Sequence, residues 1–321
     1  MSGFEAEGES RRGFLKCMTW AGTGLVWTLA GGAPASIGLE AAAATVKTAP
    51  FSFVQVSDSH IGFSKPFNPD ARTTFREAIA KIAAMPTKPD FIIHTGDVSQ
   101  LSKPDQFDDA DQIIKSAGVP VFHIPGEHDV LDEGEGKAFL DRYGKGSKGA
   151  GWYSFDHSGV HFVALVNVVN LKAGGLGSLG PDQLAWLQDD LAAHRASTPI
   201  VVFAHIPLWA VYPDWGWGTD ESAQALALLA RFGSVTVLNG HIHQVQQKVE
   251  GHVAFYTARS TAFPQAAPGA PGATPGPMAV PADKLRSVLG VREVSFVASG
   301  QALPVIDQTL AQQFDQRGIP G

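Results

Sequence analysis

The sequence predicts an α/β fold built in layers, and three patterns support this prediction. Apolar, β-branched runs alternate with amphipathic helical stretches between residues 51 and 129. The alternation breaks at residues 151–166, where the pattern is typical of an antiparallel hairpin. Five of the apolar runs end in clustered polar side chains, as strands do when their carboxyl ends meet at one edge of an α/β sheet.

The first half of the core is expected to contain three strands and two helices. Residues 51–60, 90–97 and 120–129 each join an apolar run to a polar end, which favours buried strands. Residues 69–85 and 104–118 have helical periodicity, with a proline at the start of the first helix and a glycine at the end of the second. This order indicates a layered core.

The second half begins with the hairpin of residues 151–166, which is expected to turn at His157-Ser158-Gly159. An amphipathic helix is predicted at residues 181–194 and a strand at residues 199–208. A further helix is predicted at residues 220–233, where a glycine stops it.

The last part of the chain adds a strand at residues 235–244, which ends in two histidines, and a second hairpin at residues 245–258. Residues 264–281 are rich in Pro, Gly and Ala, which excludes a helix or a central strand and indicates a long surface loop. That loop either caps a site or is a disordered insertion, and we favour disorder. Residues 290–299 are expected to form a late edge strand, and the tail beyond them has no informative pattern.

Composition and charge narrow the class of protein. The chain has 321 residues, of which 44% are hydrophobic and 17% are charged, as in ordinary soluble globular proteins. The net charge is −7, and no basic cluster occurs beyond the N-terminus. Because neutralising phosphates requires clustered Lys and Arg, we do not expect nucleic acid as the main partner.

The N-terminal residues 1–44 are predicted to be an export signal and to lie outside the fold. Residues 10–16 (SRRGFLK) carry paired arginines, a Gly- and Ala-rich run follows at 17–39, and small residues suited to cleavage come at 39–46. This pattern resembles a twin-arginine signal and predicts a periplasmic or secreted protein. A transmembrane anchor is the alternative, although its glycines would make it span weakly, and membrane contact is expected only through an uncleaved signal. The only cysteine, Cys17, lies here, so disulfides do not hold the mature chain together.

Polar groups at five strand ends predict a metal centre. These segments are Asp58-Ser59-His60, Gly96-Asp97, Gly126-Glu127-His128-Asp129, Ala204-His205 and Gly240-His241-Ile242-His243. Several carboxylates and imidazoles at one sheet edge are costly to bury without a cation. Mixed oxygen and nitrogen ligands suit Mn, Fe, Zn or Ni better than Ca or Mg, and seven candidate ligands are enough for two ions.

The ordered set D-x-H, G-D, G-x-H-D, H and G-H-x-H resembles the signature of the calcineurin-like metallophosphoesterases, over roughly residues 50–260. The resemblance implies a four-layer α/β/β/α sandwich, with two mixed sheets flanked by helices, around two transition-metal ions (Fe, Mn or Zn). It places the metallophosphoesterase domain at residues 45–262, followed by the Pro/Gly/Ala-rich loop at 263–282 and a C-terminal extension at 283–321.

The same resemblance implies a role for each motif residue. The metal ligands would be Asp58, His60 and His243 for the first ion, Asp97 between the two ions, and Glu127, His205 and His241 for the second. A hydroxide bridging the ions would attack the phosphorus. His128 would sit beside the leaving-group oxygen as general acid or transition-state donor, and Asp129 would orient His128. His94, next to the second motif, is a candidate support for the ligands, and the other histidines are expected to be structural.

Glu127 departs from the pattern, since the family's usual residue there is a neutral Asn. Two divalent ions carry four positive charges, and two aspartates with a hydroxide remove three of them; an ionised Glu127 removes the fourth. A trivalent ion could restore the charge, or the site could favour substrates of lower charge such as phosphodiesters. Glu127 could instead weaken the second metal and the activity, or turn away from the site.

The substrate is expected to be a small phosphoester. The motif set most resembles the cyclic-nucleotide and glycerophosphodiester branch, whereas Gln100 replaces the Tyr of the purple acid phosphatases. Residues 208–220 hold three tryptophans that either wall the pocket or cover the core. We therefore expect an exported two-metal phosphoesterase that favours diesters. The alternatives are a broad phosphomonoesterase or protein phosphatase, and a catalytically weakened metal-binding protein of the same fold. No oligomeric state is predicted.

Overall fold

The computed structural model describes residues 25–30, 33–38, 50–296, 303 and 305–312. The chain divides into two compact units, residues 1–47 and 48–321. In the first unit, β1 (Leu25–Ala30) pairs antiparallel with β2 (Ala33–Gly38). The paired arginines of the expected export signal lie outside the described residues.

The second unit contains two mixed sheets. In chain order its strands are β3 (Phe51–Val56), β4 (Phe91–His94), β5 (Val121–His123), β6 (Tyr153–His157), β7 (Val160–Ala164), β8 (Ile200–Ala204), β9 (Val235–Asn239), β10 (Gln246–Glu250), β11 (Val253–Thr257), β12 (Gly290–Phe296) and β13 (Val305–Thr309). One sheet has the order β13-β12-β3-β4-β5, and the other has the order β10-β11-β9-β8-β7-β6. Both predicted hairpins, β6–β7 and β10–β11, are confirmed.

Helices cover the outer face of each sheet. They are α1 (Ala71–Ala83), α2 (Pro104–Ile114), α3 (Lys137–Tyr143), α4 (Gly180–Ala192), α5 (Ser222–Leu229) and α6 (Leu285–Val288). Side chains of α1, α2 and α3 share one buried cluster with the outward residues of the five-stranded sheet, including Val54 and Ile92. Side chains of α4 and α5 do the same on the six-stranded sheet. None of the helices in the described part is both long and apolar enough to cross a membrane.

The core between the two sheets is largely aromatic. Strand alternation turns Phe53 and Phe91 towards Phe162 and Phe203 of the opposite sheet. The Phe91 and Phe162 rings meet edge to face, with centroids 5.4 Å apart. The expected four-layer α/β/β/α sandwich is therefore confirmed.

The strand expected at the edge is not an edge strand. β12 pairs with both β3 and β13, so β13 forms the edge, in the tail where no pattern was visible. The reason is electrostatic as well as apolar, because the fully buried Arg292 of β12 makes paired bonds to Asp307 of β13, at 3.0 Å and 2.9 Å. Helix α3 was also not predicted.

Candidate metal centre

The five motif segments leave β3, β4, β5, β8 and β9 at their carboxyl ends. β3, β4 and β5 run parallel, as do β8 and β9, so these ends lie together. Two motif glycines permit a close approach of the loops. A Cβ at Gly126 would lie 2.1 Å from Asp97 Oδ1, and a Cβ at Gly240 would lie 2.1 Å from Ser57 Oγ. Larger residues at these positions would push the loops apart.

The backbone of the site is unusual. Of the non-glycine residues described with positive φ, most belong to the predicted ligand set: Asp58 (53°), His60 (41°), Asp97 (53°), His241 (68°) and His243 (52°). The left-handed region is unfavourable for residues with a Cβ, and such strain tends to concentrate at functional sites. The strand ends are thus bent so that alternate side chains point to one place.

Asp58, His60 and His243 form the first half of the site. His243 Nε2 lies 3.2 Å from Asp58 Oδ1 and 3.3 Å from His60 Nε2. His243 Nδ1 donates a hydrogen bond to the carbonyl of Phe263 at 2.6 Å, which leaves the Nε2 lone pair facing the cluster. All three residues are buried.

Glu127, His205 and His241 form the second half. Glu127 Oε2 lies 2.8 Å from His205 Nε2, and Glu127 Oε1 lies 2.9 Å from His241 Nδ1. His205 Nδ1 donates to the carbonyl of Thr95 at 2.7 Å, so its Nε2 also faces inward. Glu127 therefore points into the site rather than away from it.

Asp97 lies between the two halves. Its Oδ2 atom is 3.4 Å from His60 Nε2 in the first half and 3.4 Å from His205 Nε2 in the second. Its Oδ1 atom accepts the backbone N–H of His128 at 2.9 Å. A single carboxylate is thus held where it faces both groups of ligands.

The residues present fit two metal ions. Buried polar atoms with no hydrogen-bond partner concentrate here: Asp58 Oδ2, Glu127 Oε2, His205 Nε2 and both ring nitrogens of His241. The carboxylate of Glu127 is thus close to the rings of His205 and His241, but the atoms are not aligned as in hydrogen bonds. Ligand atoms about 2.1 Å from one ion lie about 3.0–3.4 Å from each other, close to the separations seen here.

The charges of the cluster also suit cations. Burial lowers the pKa of His60 to about 3, so its ring is neutral and able to ligate a metal. Burial acts in the same direction on His205, but Asp97 and Glu127 outweigh it and raise the pKa of His205 well above its ordinary value. Burial opposes ionisation of Glu127, yet His241 and His205 hold its pKa well below the ordinary value. The second half thus attracts positive charge, whether a proton or a metal ion.

His128 lies beside the ligands and has a defined tautomer. Its Nδ1 atom is 2.8 Å from the carbonyl oxygen of Gln100, which can only accept, so Nδ1 carries a hydrogen. Nε2 is then the nitrogen that gains or loses a proton. Burial lowers the pKa of His128, but Asp97 and Glu127 outweigh burial and raise it above its ordinary value.

Asp129 does not orient the His128 ring as expected. Its carboxylate instead accepts the N–H groups of Val98 (2.9 Å), Ser99 (2.8 Å) and Gly126 (3.0 Å). These bonds tie the loop after β5 to the loop after β4. The Gln100 carbonyl positions the imidazole, and Asp129 positions the loops that carry His128 and Asp97.

A cavity of about 280 Å³ opens onto the metal centre. Its walls include Trp215 and Trp217 from the loop after β8, while Trp209 packs against Phe255 in the core. The tryptophan loop thus has both roles that the sequence left open. None of the described residues that line this catalytic cavity is Lys or Arg.

The Pro/Gly/Ala-rich loop reaches the same cavity, where Pro275, Gly276 and Pro277 form part of the wall. The expected disordered insertion is therefore wrong for this segment, because side chains hold it. Gln265 donates to the backbone carbonyl of His241 at 2.7 Å and accepts the N–H of Gly276 at 3.1 Å. Gln265 was missed because a glutamine in a low-complexity loop carries no recognisable pattern.

His94 supports the centre from behind. Its Nε2 atom is 2.9 Å from Ser59 Oγ, between the ligands Asp58 and His60 in sequence, and its ring stacks on His123. Other histidines pair with carboxylates far from the motifs, such as His157 with Asp90 at 2.7 Å.

Comparisons with known proteins agree with this site. The model of the family "Calcineurin-like phosphoesterase" matches residues 51–245. Purple acid phosphatase 23 of Arabidopsis thaliana is 31% identical over 143 residues, which are 40% of this chain and 29% of that protein. A probable cyclic nucleotide phosphodiesterase of Psychrobacter sp. is 25% identical over 200 residues, 59% of this chain and 57% of that protein. The chain thus spans less than two thirds of the length of each of these relatives.

Among solved structures, a dimetal phosphatase from Danio rerio shares the fold, with a TM-score of 0.58 and 14% sequence identity over 81% of this chain and 99% of that one. The family match covers more than half of the chain and contains all seven predicted ligands. The chain belongs to the calcineurin-like phosphoesterase family.

Proposed function

We propose that the protein hydrolyses phosphodiesters in preference to phosphomonoesters at a centre of two transition-metal ions. The observation that carries this proposal is the charge of the catalytic cavity. Its described lining contains no Lys or Arg, while Glu127 adds a carboxylate where the family usually has Asn. A phosphomonoester carries two negative charges and depends strongly on positive charge in the site for binding. A phosphodiester carries one negative charge, so the missing positive charge weakens its binding less.

The ligands proposed are Asp58, His60 and His243 for one ion, Glu127, His205 and His241 for the other, and Asp97 for both. Bound there, the ions supply Lewis acidity, lower the pKa of water and stabilise the oxygens of an in-line displacement. Their identity is proposed only as a class, Fe, Mn or Zn, because imidazole and carboxylate ligands suit these metals.

The chain's own residues bind the ester and move the proton. Trp215 is half-buried and meets Trp217 edge to face at 5.3 Å, so a ring face is available to stack on an aromatic or apolar ester group. His128 Nε2 holds a proton beside the cavity and donates it to the departing oxygen. Pro275, Gly276 and Pro277 form part of the wall of the same cavity.

Turnover of bis(p-nitrophenyl) phosphate and p-nitrophenyl phosphate tests this proposal, with wild type and Glu127→Asn each reconstituted with Mn(II) or Fe. We expect wild type to prefer the diester, and Glu127→Asn to gain activity on the monoester. A wild-type preference for the monoester would support a broad phosphomonoesterase. Turnover of neither ester by wild type and of both by the variant would support a weakened metal-binding protein.

Export by the twin-arginine route is a separate proposal, supported by the residues SRRGFLK at 10–16. Replacing Arg11 and Arg12 with lysines is expected to retain the protein in the cytoplasm. Cell fractionation with an antibody to the folded domain measures this, and an unchanged distribution would contradict the proposal.

A further inference from the structure

A second cluster of metal-ligating side chains lies far from the catalytic centre. It consists of Asp156, His161, Asp190 and His194 and is called here the His161–His194 cluster. β7 runs parallel to β8, and His161 pairs with Ile200 at the start of β8, whereas His205 of the metal centre follows the end of β8. The two sites are therefore at opposite ends of the six-stranded sheet.

The side chains of the cluster converge closely. His161 Nδ1 is 2.9 Å from Asp156 Oδ1, and His161 Nε2 is 2.8 Å from Asp190 Oδ2. The ring of His194 lies over that of His161, with centroids 3.7 Å apart and planes 31° apart. Ligand atoms of Asp156, His161 and His194 all lie within 4.8 Å of one another. Two ligand atoms that are each about 2.1 Å from the same ion lie at most about 4.2 Å apart. Small side-chain movements therefore suffice to bring these ligand atoms within reach of one ion.

Asp190 orients His161 in the manner of known metal sites. It accepts the Nε2–H of His161, and its other oxygen accepts the hydroxyl of Ser154 at 2.6 Å. A carboxylate on one imidazole nitrogen fixes the ring and makes the other nitrogen a better ligand. Nδ1, which is beside Asp156, is then the nitrogen available to an ion.

The cluster is preformed but accessible. His161 is only 2% exposed, whereas the Asp156 side chain is 67% exposed, which leaves an open side for water ligands and ion entry. Among the described residues, the hydrogen bonds of His194 are made by its backbone, so no protein contact has to be displaced from its ring nitrogens.

We propose that the His161–His194 cluster binds one divalent transition-metal ion of the zinc class through Asp156, His161 and His194. Two imidazoles and one carboxylate favour Zn²⁺ over Mg²⁺ or Ca²⁺, which prefer oxygen ligands. The ion takes the place of the proton that His161 Nδ1 shares with Asp156, and that proton is released to solvent. It joins the β6–β7 hairpin to the end of α4 and takes no part in hydrolysis.

Zinc analysis after equilibrium dialysis of the full chain tests this proposal. The variants are His194→Gln and Asp156→Asn, and the control is His157→Gln, which changes a histidine of the same hairpin outside the cluster. We expect wild type and the control to hold one zinc ion per chain more than either variant, or to bind that ion at least about tenfold more tightly. Equal zinc content and affinity in all four proteins would overturn the proposal.

Two further readouts separate this proposal from the proposed function. Turnover with Mn(II) is expected to be unchanged in His194→Gln and Asp156→Asn, because neither residue lies near the catalytic cavity. Added Zn²⁺ is expected to raise the melting temperature of wild type more than that of Asp156→Asn, whose exposed substitution leaves the fold intact. An equal rise in melting temperature in both proteins would contradict the proposed zinc site, independently of which ester the protein hydrolyses.

Discussion

At the scale of single residues, the proposed ligands and His128 have separate roles: the ligands hold the ions, and His128 transfers a proton. His128 Nε2 is the only proton-exchanging nitrogen of that ring, because the Gln100 carbonyl occupies Nδ1–H. We expect His128→Gln to lower kcat about 100- to 10,000-fold while both metals remain bound.

The size of that loss depends on the leaving group. An alkoxide needs its proton more than p-nitrophenolate does, so the loss is expected to be larger for an alkyl diester than for bis(p-nitrophenyl) phosphate. Metal analysis together with kcat for the two ester types checks this prediction. Equal losses on both would show that His128 binds the phosphoryl group instead of protonating the departing oxygen.

His123 provides a prediction for acidic pH. Burial lowers the pKa of its ring to about 4, whereas the ring of an unfolded chain titrates near its ordinary value of 6.5. The unfolded state therefore binds more protons between these values, and the free energy of unfolding falls as the pH drops from about 6.5 to about 4. The ring is partly exposed, so we expect a loss of the order of 1 kcal/mol from this residue.

The variant His123→Phe keeps the stack on Tyr143, whose ring centroid is 4.1 Å away, and removes the titrating group. After a chelator has removed the metals from both proteins, the free energy of unfolding of His123→Phe should fall less than that of wild type between about pH 6.5 and about pH 4. Urea unfolding measures this difference. The exposed His252→Phe serves as control and should follow wild type. If the free energy of unfolding falls equally in His123→Phe and wild type over this pH range, His123 does not contribute to the pH dependence.

At the scale of elements, the attachment of β13 depends on one buried guanidinium. Arg292 is fully buried, pairs with Asp307 and donates to Gln55 at 3.2 Å. Arg292→Met leaves these acceptors without their donor, and we expect a loss of about 2–4 kcal/mol in the free energy of unfolding.

Arg286→Met is a matched control for this change. Arg286 makes a similar paired contact with Glu77, at 3.0 Å and 2.7 Å, but both side chains are about 40% exposed. Its loss is expected to be below about 1 kcal/mol because solvent screens the pair. Similar losses in the two variants, measured by urea unfolding, would contradict the importance of burial.

Regular elements were easier to predict than their places in the sheets. Periodicity identified the strands that end at Asp58, Asp97 and His205, and the motifs identified the seven candidate ligands that the structure brings together. Nothing local predicted that β13 takes the edge, because the Arg292–Asp307 pair joins residues 15 positions apart in a part of the sequence without a distinctive pattern. The contact of His128 with the Gln100 carbonyl and the hydrogen bonds of Gln265 could not be predicted either, because every residue type has the backbone groups that they use.

At the scale of the whole molecule, metal binding and folding are linked. Both sheets supply ligands, so unfolding disperses the site and releases every ion bound there. With the ions in excess, the free energy of unfolding should rise with the logarithm of Mn(II) concentration, with a slope that counts the ions released. In the Asp156→Asn background, which removes the separate His161–His194 site, we expect a slope near two ions, and near one when His241→Ala is added, measured by urea unfolding in buffered Mn(II). A slope of one in the Asp156→Asn background alone would contradict a two-metal centre.

The left-handed backbone at Asp58, His60, Asp97, His241 and His243 bears on how such a protein can be engineered. Each of these positions would be relieved of strain by glycine, at about 1 kcal/mol apiece. A search for thermostable variants that scored only the folding of the metal-free protein would therefore favour glycine at these positions, and would yield a more stable protein that has lost its metal ligands. Selection on this scaffold has to reward turnover or metal retention together with stability.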